Sequence, residues 1–138
     1  MTQLAKLIRV LVADDSPTFL SSICSYLHFA GGFEIVGTAS DGLNAVQLTD
    51  IHKPDLVLLD LSMPRVNGLE AAQQIRRKSP HLRVIIFSEL HGMSLADECR
   101  RYGADSFVPK NILPEGLLSE IQRLFSSGTQ RYSGPNPD

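Results

Sequence analysis

Five short apolar runs punctuate the chain at residues 7–13, 34–39, 55–59, 82–87 and 106–108, each rich in Val, Ile, Leu or Phe. Several are apolar almost throughout, the pattern of strands covered on both faces. Between them apolar residues recur at helical spacing: Leu20, Ile23 and Leu27; Leu43, Val46 and Ile51; Leu69, Ala72 and Ile75; Leu95, Ala96 and Cys99; Leu117, Ile121 and Leu124. That spacing predicts a helix after every strand. Ser16 can cap a helix with Pro17 at its first position, Asn67 can cap another with Glu70 following, and Gly31, Gly32 and Gly103 supply stops. Strand–helix alternation of this kind implies right-handed crossovers and an α/β doubly wound parallel sheet in the order 2-1-3-4-5.

At 138 residues the chain is sized for one domain with a core that needs no covalent staple. Its 43% hydrophobic and 20% charged residues suit a soluble globular protein, and a net charge of -2 gives no electrostatic pull toward nucleic acid or an anionic membrane. Cys24 and Cys99 lie in helical apolar patterns and read as small core residues in a reducing compartment. The run at residues 7–13 is too short for a signal peptide or membrane span, so the chain reads as cytoplasmic. Residues 126–138 are too polar and too rich in Gly and Pro to bury anything, and are expected to form a disordered tail or linker.

Asp14, Asp15, Asp60 and Lys110 each fall at the carboxyl end of an apolar run, and in a parallel sheet those ends open on one edge. Adjacent carboxylates such as Asp14 and Asp15 repel unless a cation neutralises them, and Mg2+ takes oxygen ligands at about 2.1 Å, commonly from one or two carboxylates. The pair equally suits a helix N-terminus favoured by negative charge, with no metal. Asp60 falls beside them where the strand order reverses. A carboxylate there is either the nucleophile of phosphoryl transfer, forming an aspartyl phosphate, or a third metal ligand. Lys110 can reach phosphoryl oxygens as a point charge, and the Ser88 hydroxyl either donates to such an oxygen or is simply solvated. His28, His52, His81 and His91 share no metal-ligand spacing.

These residues in this order resemble the receiver domain of bacterial response regulators, the CheY-like family, over about Leu7 to Phe125. The resemblance implies a flavodoxin-like (βα)5 three-layer sandwich, with a receiver over residues 1–125. It implies a two-component signalling role, with Asp60 as phospho-acceptor. Asp14, Asp15, Asp60 and the Ser62 backbone carbonyl would hold Mg2+, while Ser88 and Lys110 would contact the phosphoryl group. A sensor histidine kinase or phosphotransfer protein is the implied donor, and the domain would catalyse only its own modification and its reversal. Phe107 is similar to the family's aromatic switch residue, although strand aromatics are more often plain core. Ser88 and Phe107 would reshape the face of helix four, strand five and helix five, near Leu90, Met93 and Tyr102, a face that also suits a partner or a homodimer.

The segments Phe33–Gly42, Leu59–Pro64 and Gly103–Phe107 resemble the NarL/FixJ-type subfamily, whose receivers usually precede a helix-turn-helix domain. No such domain is expected in these residues, so the chain reads as a single-domain regulator or as a receiver cut from a longer protein.

Three departures qualify the resemblance. Glu89 replaces the small residue usual after the switch hydroxyl, and its charge would repel an incoming phosphate. Asn111 replaces the proline usual after the lysine, so the family's cis bond there is not expected. Leu113 stands where a capping residue would serve helix five, and Gly116 weakens its first turn. Three rivals compete. An aspartate-based Mg2+ phosphatase would need an acid where Ser62 stands, and a cap domain. A flavin or nucleotide carrier would need glycines where Asp14-Asp15-Ser16-Pro17 stands. A receiver-like interaction module that is never phosphorylated would accommodate Glu89.

Overall fold

The computed structural model describes residues 6–90 and 92–126. Strands β1 (Ile8–Ala13), β2 (Phe33–Ala39), β3 (Leu56–Asp60), β4 (Arg83–Ser88) and β5 (Ser106–Pro109) form one parallel sheet in the order β2-β1-β3-β4-β5. Helices α1 (Pro17–Ala30), α2 (Gly42–His52), α3 (Gly68–Lys78), α4 (Met93–Arg101) and α5 (Glu115–Ser126) alternate with the strands, and a 3-10 turn, Lys110–Ile112, follows β5. This is the flavodoxin-like doubly wound sandwich expected from the apolar runs. β3 and β4 each end one residue later than their apolar runs, so Asp60 and Ser88 are themselves the last strand residues.

Alternate strand residues divide the core into two. Val10, Val12, Leu56, Leu58, Ile85 and Phe87 pack with Ile23 and Leu27 of α1 and with Leu117, Ile121 and Leu124 of α5. Leu11, Ala13, Val57, Leu59, Val84 and Ile86 pack on the other face with residues of α2, α3 and α4. Both faces are covered, and for that reason the strands read as continuously apolar. Cys99 is buried and Cys24 half-buried, both as free thiols.

Local capping follows the sequence. The Ser16 hydroxyl accepts the Phe19 N–H at 3.2 Å with Pro17 opening α1, and Asn67 and Glu70 form a reciprocal capping box on α3. Gly31 and Gly103 take positive φ at the helix ends. The face of α2 differs from expectation. Ile51 is 68% exposed, whereas Ala45, Val46 and Thr49 are buried, with the Thr49 hydroxyl donating to the Ala45 carbonyl. Small side chains set this face, because Gly42 packs directly on the Val66 backbone and leaves no room for bulk at the start of α2. Gly68 makes a similar approach at the start of α3, where a Cβ would meet the Asp60 carbonyl oxygen and lie 2.8 Å from Leu61 Cα.

The α5 junction also differs. The Leu113–Pro114 bond is cis, and the Pro114 carbonyl accepts from the Leu117 and Leu118 amides in the first turn of the helix. Gly116, expected as a weak point, is where the Ile112 side chain lies across the turn.

A buried pair fastens the amino ends of β4 and β5. Arg76 of α3 donates to the carbonyls of Gly103, Pro80 and Leu82 and meets the Asp105 carboxylate at 2.7 Å, and that carboxylate also accepts the Val84 N–H. The last described residue, Ser126, closes α5, one residue past the boundary expected after residue 125. Residues 127–138 and His91 lie outside the described residues.

Candidate functional site

The carboxyl ends of β1, β3 and β5 bring Asp14, Asp15, Asp60 and Lys110 together. Asp14 leaves β1 with its amide bonded to the Ala39 carbonyl, and its Oδ1 accepts the Ser16 N–H at 2.8 Å, which turns the other oxygen into the crevice. Lys110 Nζ lies 3.0 Å from Asp14 Oδ2 and 3.6 Å from Asp60 Oδ1. Asp14 and Asp60 are buried, and Asp15 stands exposed at the rim. One carboxylate oxygen from each of Asp14, Asp15 and Asp60 lies within 4.8 Å of the others.

One ammonium thus faces three carboxylates. Burial, then the charge of Asp14 and more weakly that of Asp15, push the Asp60 carboxyl up to about 6 against the opposing pull of Lys110 and of the Ser62 backbone N–H. That N–H is the Ser62 group seen acting on Asp60. The donor set fits a hard divalent cation, because it is all oxygen and carries more negative charge than Lys110 alone balances.

Lys110 is held by more than anions. Its Nζ sits 4.0 Å from the centroid of the Phe19 ring and 5.5 Å from that of Phe87, and the two rings pack tilted with centroids 5.3 Å apart. Sequence reasoning missed both rings. Phe19 stands one helical repeat before Ile23, a spacing that places it on the inward face of α1.

Ser88 ends β4 almost fully buried, with its hydroxyl accepting the Leu90 N–H at 3.0 Å. The hydroxyl therefore addresses its own loop. Glu89 is exposed beside it, and α4 starts after Gly92, at φ 144°, with no side-chain cap. Phe107 is half-buried against the core under α2, α3 and α4, while Leu90 and Met93 are 64% and 86% exposed. Tyr102 is half-buried at the end of α4.

The family profile for response regulator receiver domains matches residues 10–122. The nitrate/nitrite response regulator NarL of Escherichia coli is 33% identical over 114 residues, 83% of this chain and 53% of NarL. Chemotaxis protein CheY of Listeria monocytogenes is 32% identical over 117 residues, 85% of this chain and 98% of CheY. A solved CheX–CheY–BeF3–Mg2+ complex from Borrelia burgdorferi superposes with a TM-score of 0.78 at 31% identity, covering 86% of this chain and 89% of that one. The chain spans about half the length of NarL and of several other curated relatives it matches, and nearly the whole of CheY.

Proposed function

This chain belongs to the response regulator receiver domain family, and from that premise we propose that it accepts a phosphoryl group on Asp60 from a sensor histidine kinase or phosphotransfer protein. The observation that carries the reading is the meeting of Asp14, Asp15, Asp60 and Lys110 at one sheet edge, with a single ammonium for three carboxylates. Asp14, Asp15, Asp60 and the Ser62 carbonyl would hold Mg2+, which supplies the charge neutralisation that lets a carboxylate meet a phosphoryl group. A solved relative is a complex with beryllofluoride and Mg2+, which supports this assignment.

An Asp60 carboxylate oxygen attacks phosphorus in line, the new O–P bond forms as the donor's P–N bond breaks, and the imidazole leaves with the bonding pair and takes a proton. Lys110 leaves the carboxylates to balance charge on the phosphoryl oxygens. Ser88 exchanges the Leu90 amide for one of those oxygens and draws the loop before α4 inward, and Phe107 turns into the space released. The α4–β5–α5 face then reads differently to a partner or a second copy. Water attack on phosphorus reverses the state, so the domain acts as a signalling module on itself and not as an enzyme on a separate substrate. Among the described residues no helix is long and apolar enough to cross a membrane, and we place the domain in the cytoplasm.

The test is incubation with Mg2+ and a small acyl phosphate, followed by intact mass. One acid-labile phosphoryl group on the wild type and none on Asp60→Asn is expected. A second reading, an interaction module that is never phosphorylated, draws on the exposed carboxylate of Glu89 beside Ser88. An unmodified wild type that still binds Mg2+ would favour it.

A further inference from the structure

We infer that Phe19, backed by Phe87, is a positioning residue that seats the Lys110 ammonium at the reacting edge. The inference rests on the phosphoryl-transfer reading of the site. A lysine carries four flexible side-chain bonds, and at the end of a strand it would normally spread over many solvated rotamers. Here only 15% of the Lys110 side chain is exposed, and its Nζ lies 4.0 Å from the centre of the Phe19 ring. Phe87 is fully buried, so it fixes the tilt of Phe19 from the core side. The Ser16 cap fixes it from the other side, because the backbone N–H that Ser16 accepts is that of Phe19 itself. Cap, ring and ammonium therefore form one continuous chain of contacts.

The rings do what the carboxylates cannot. They carry no net charge, so they hold the ammonium equally well whether it faces Asp60 or a phosphoryl oxygen. Asp14 binds Lys110 most closely, yet Asp14 is also a ligand in the proposed metal set, and an oxygen serving the metal is weakened as a partner for the lysine. The aromatic seat keeps Nζ in the crevice through that exchange. It also covers the ammonium on one side, which strengthens its field at the acceptor. A leucine at position 19 would fill much of the same volume without the π face.

The experiment compares wild type, Phe19→Leu and Phe19→Tyr. Phe19 is half-exposed at the edge of an open groove, so a tyrosine hydroxyl has room to reach solvent. The ε-methylene protons of Lys110 in the unphosphorylated wild type and in Phe19→Tyr are expected upfield of their random-coil position, and markedly closer to it in Phe19→Leu, where only the more distant Phe87 ring remains. Phosphorylation by a small acyl phosphate is expected to slow roughly two- to thirty-fold in Phe19→Leu, with half-saturating donor unchanged, and to recover in Phe19→Tyr. An unshifted Lys110 in the wild type, an unchanged rate in Phe19→Leu, or equal loss in both variants would overturn the seat. The proton shift needs no phosphorylation. A wild type with the shift and no phosphoryl gain would thus sink the receiver chemistry alone, and phosphorylation without the shift would sink the seat alone.

Discussion

At the amino edge of the sheet Arg76 meets Asp105 at 2.7 Å, and at the carboxyl edge Lys110 meets Asp14 at 3.0 Å and Asp60 at 3.6 Å. Both groups are largely withdrawn from water, yet they are balanced differently. Arg76 spreads its donors over Asp105 and three or more backbone carbonyls, and Asp105 takes the Val84 amide as well. The guanidinium faces a carboxylate at hydrogen-bonding distance and its other donors reach carbonyls, as a pair withdrawn from water requires if it is not to cost stability. Lys110 has a flexible point charge and more carboxylates than it can neutralise, and burial together with the charge of Asp14 leaves the Asp60 carboxyl pushed up to about 6. A saturated pair resists change, whereas an unbalanced one is completed by added positive charge.

The largest effect that would break this contrast is Asp105→Ala. It takes the Asp105 carboxylate away from a guanidinium largely withdrawn from water and should destabilise the fold by about 3–5 kcal/mol in urea unfolding. A loss under about 1 kcal/mol would mean that the carbonyls alone hold Arg76. At the other edge the sign reverses. Asp60→Asn removes one of the crowded carboxylates and should stabilise the protein by about 1–3 kcal/mol at neutral pH.

That gain should depend on pH in a set direction. The folded value of Asp60, about 6, lies above its ordinary 3.8, so the folded state holds this proton more tightly than the unfolded chain does. The cost of ionised Asp60 is complete above about pH 6 and is relieved as pH falls toward 4, so the advantage of Asn should shrink over that window. Urea curves for both proteins at several pH values check this, and an advantage that grows on acidification would contradict it.

Smaller effects sharpen the comparison. Glu89→Ala removes an exposed negative charge next to Ser88 and should speed phosphorylation by a small anionic donor roughly two- to fivefold, less at high salt. An unchanged rate at low salt would show that Glu89 points away from the donor's path. The solvent-exposed Lys53–Asp50 pair, at 3.7 Å, is the control. Asp50→Asn should change stability by no more than about 0.5 kcal/mol, since water already screens both charges.

The carboxyl edge was legible in the sequence because a parallel sheet sends every strand end to one side, so Asp14, Asp60, Ser88 and Lys110 could be placed from their runs alone. The strands and the Ser16 and Asn67 caps were legible for a similar reason, since period and capping are local. Arg76 and Asp105 were not, because they lie 29 residues apart and only the docking of α3 brings them together. Phe19 escaped notice because its partner, Lys110, is distant in sequence and because an aromatic in a helical apolar pattern reads as core. Ile51 was misplaced because α2 docks through Gly42 and Ala45, whose small size carries almost no hydrophobic signal.

The close packing of Gly68 on the backbone at Asp60, and of Gly42 on that at Val66, removes slack from one side of the acceptor strand. With no side chain between them, the first turn of α3 rests directly on the end of β3, and that of α2 on the loop at Val66. At the carboxyl end of β4 the packing is of another kind, because the first turn of α4 lacks a side-chain cap and follows Gly92 at φ 144°. The carboxyl edge is thus closed backbone to backbone beside β3 and left without a side-chain cap at α4. Bulk added at Gly68 would have to push aside the backbone of Asp60 and Leu61, and so would reach the carboxylate cluster without touching any of its side chains.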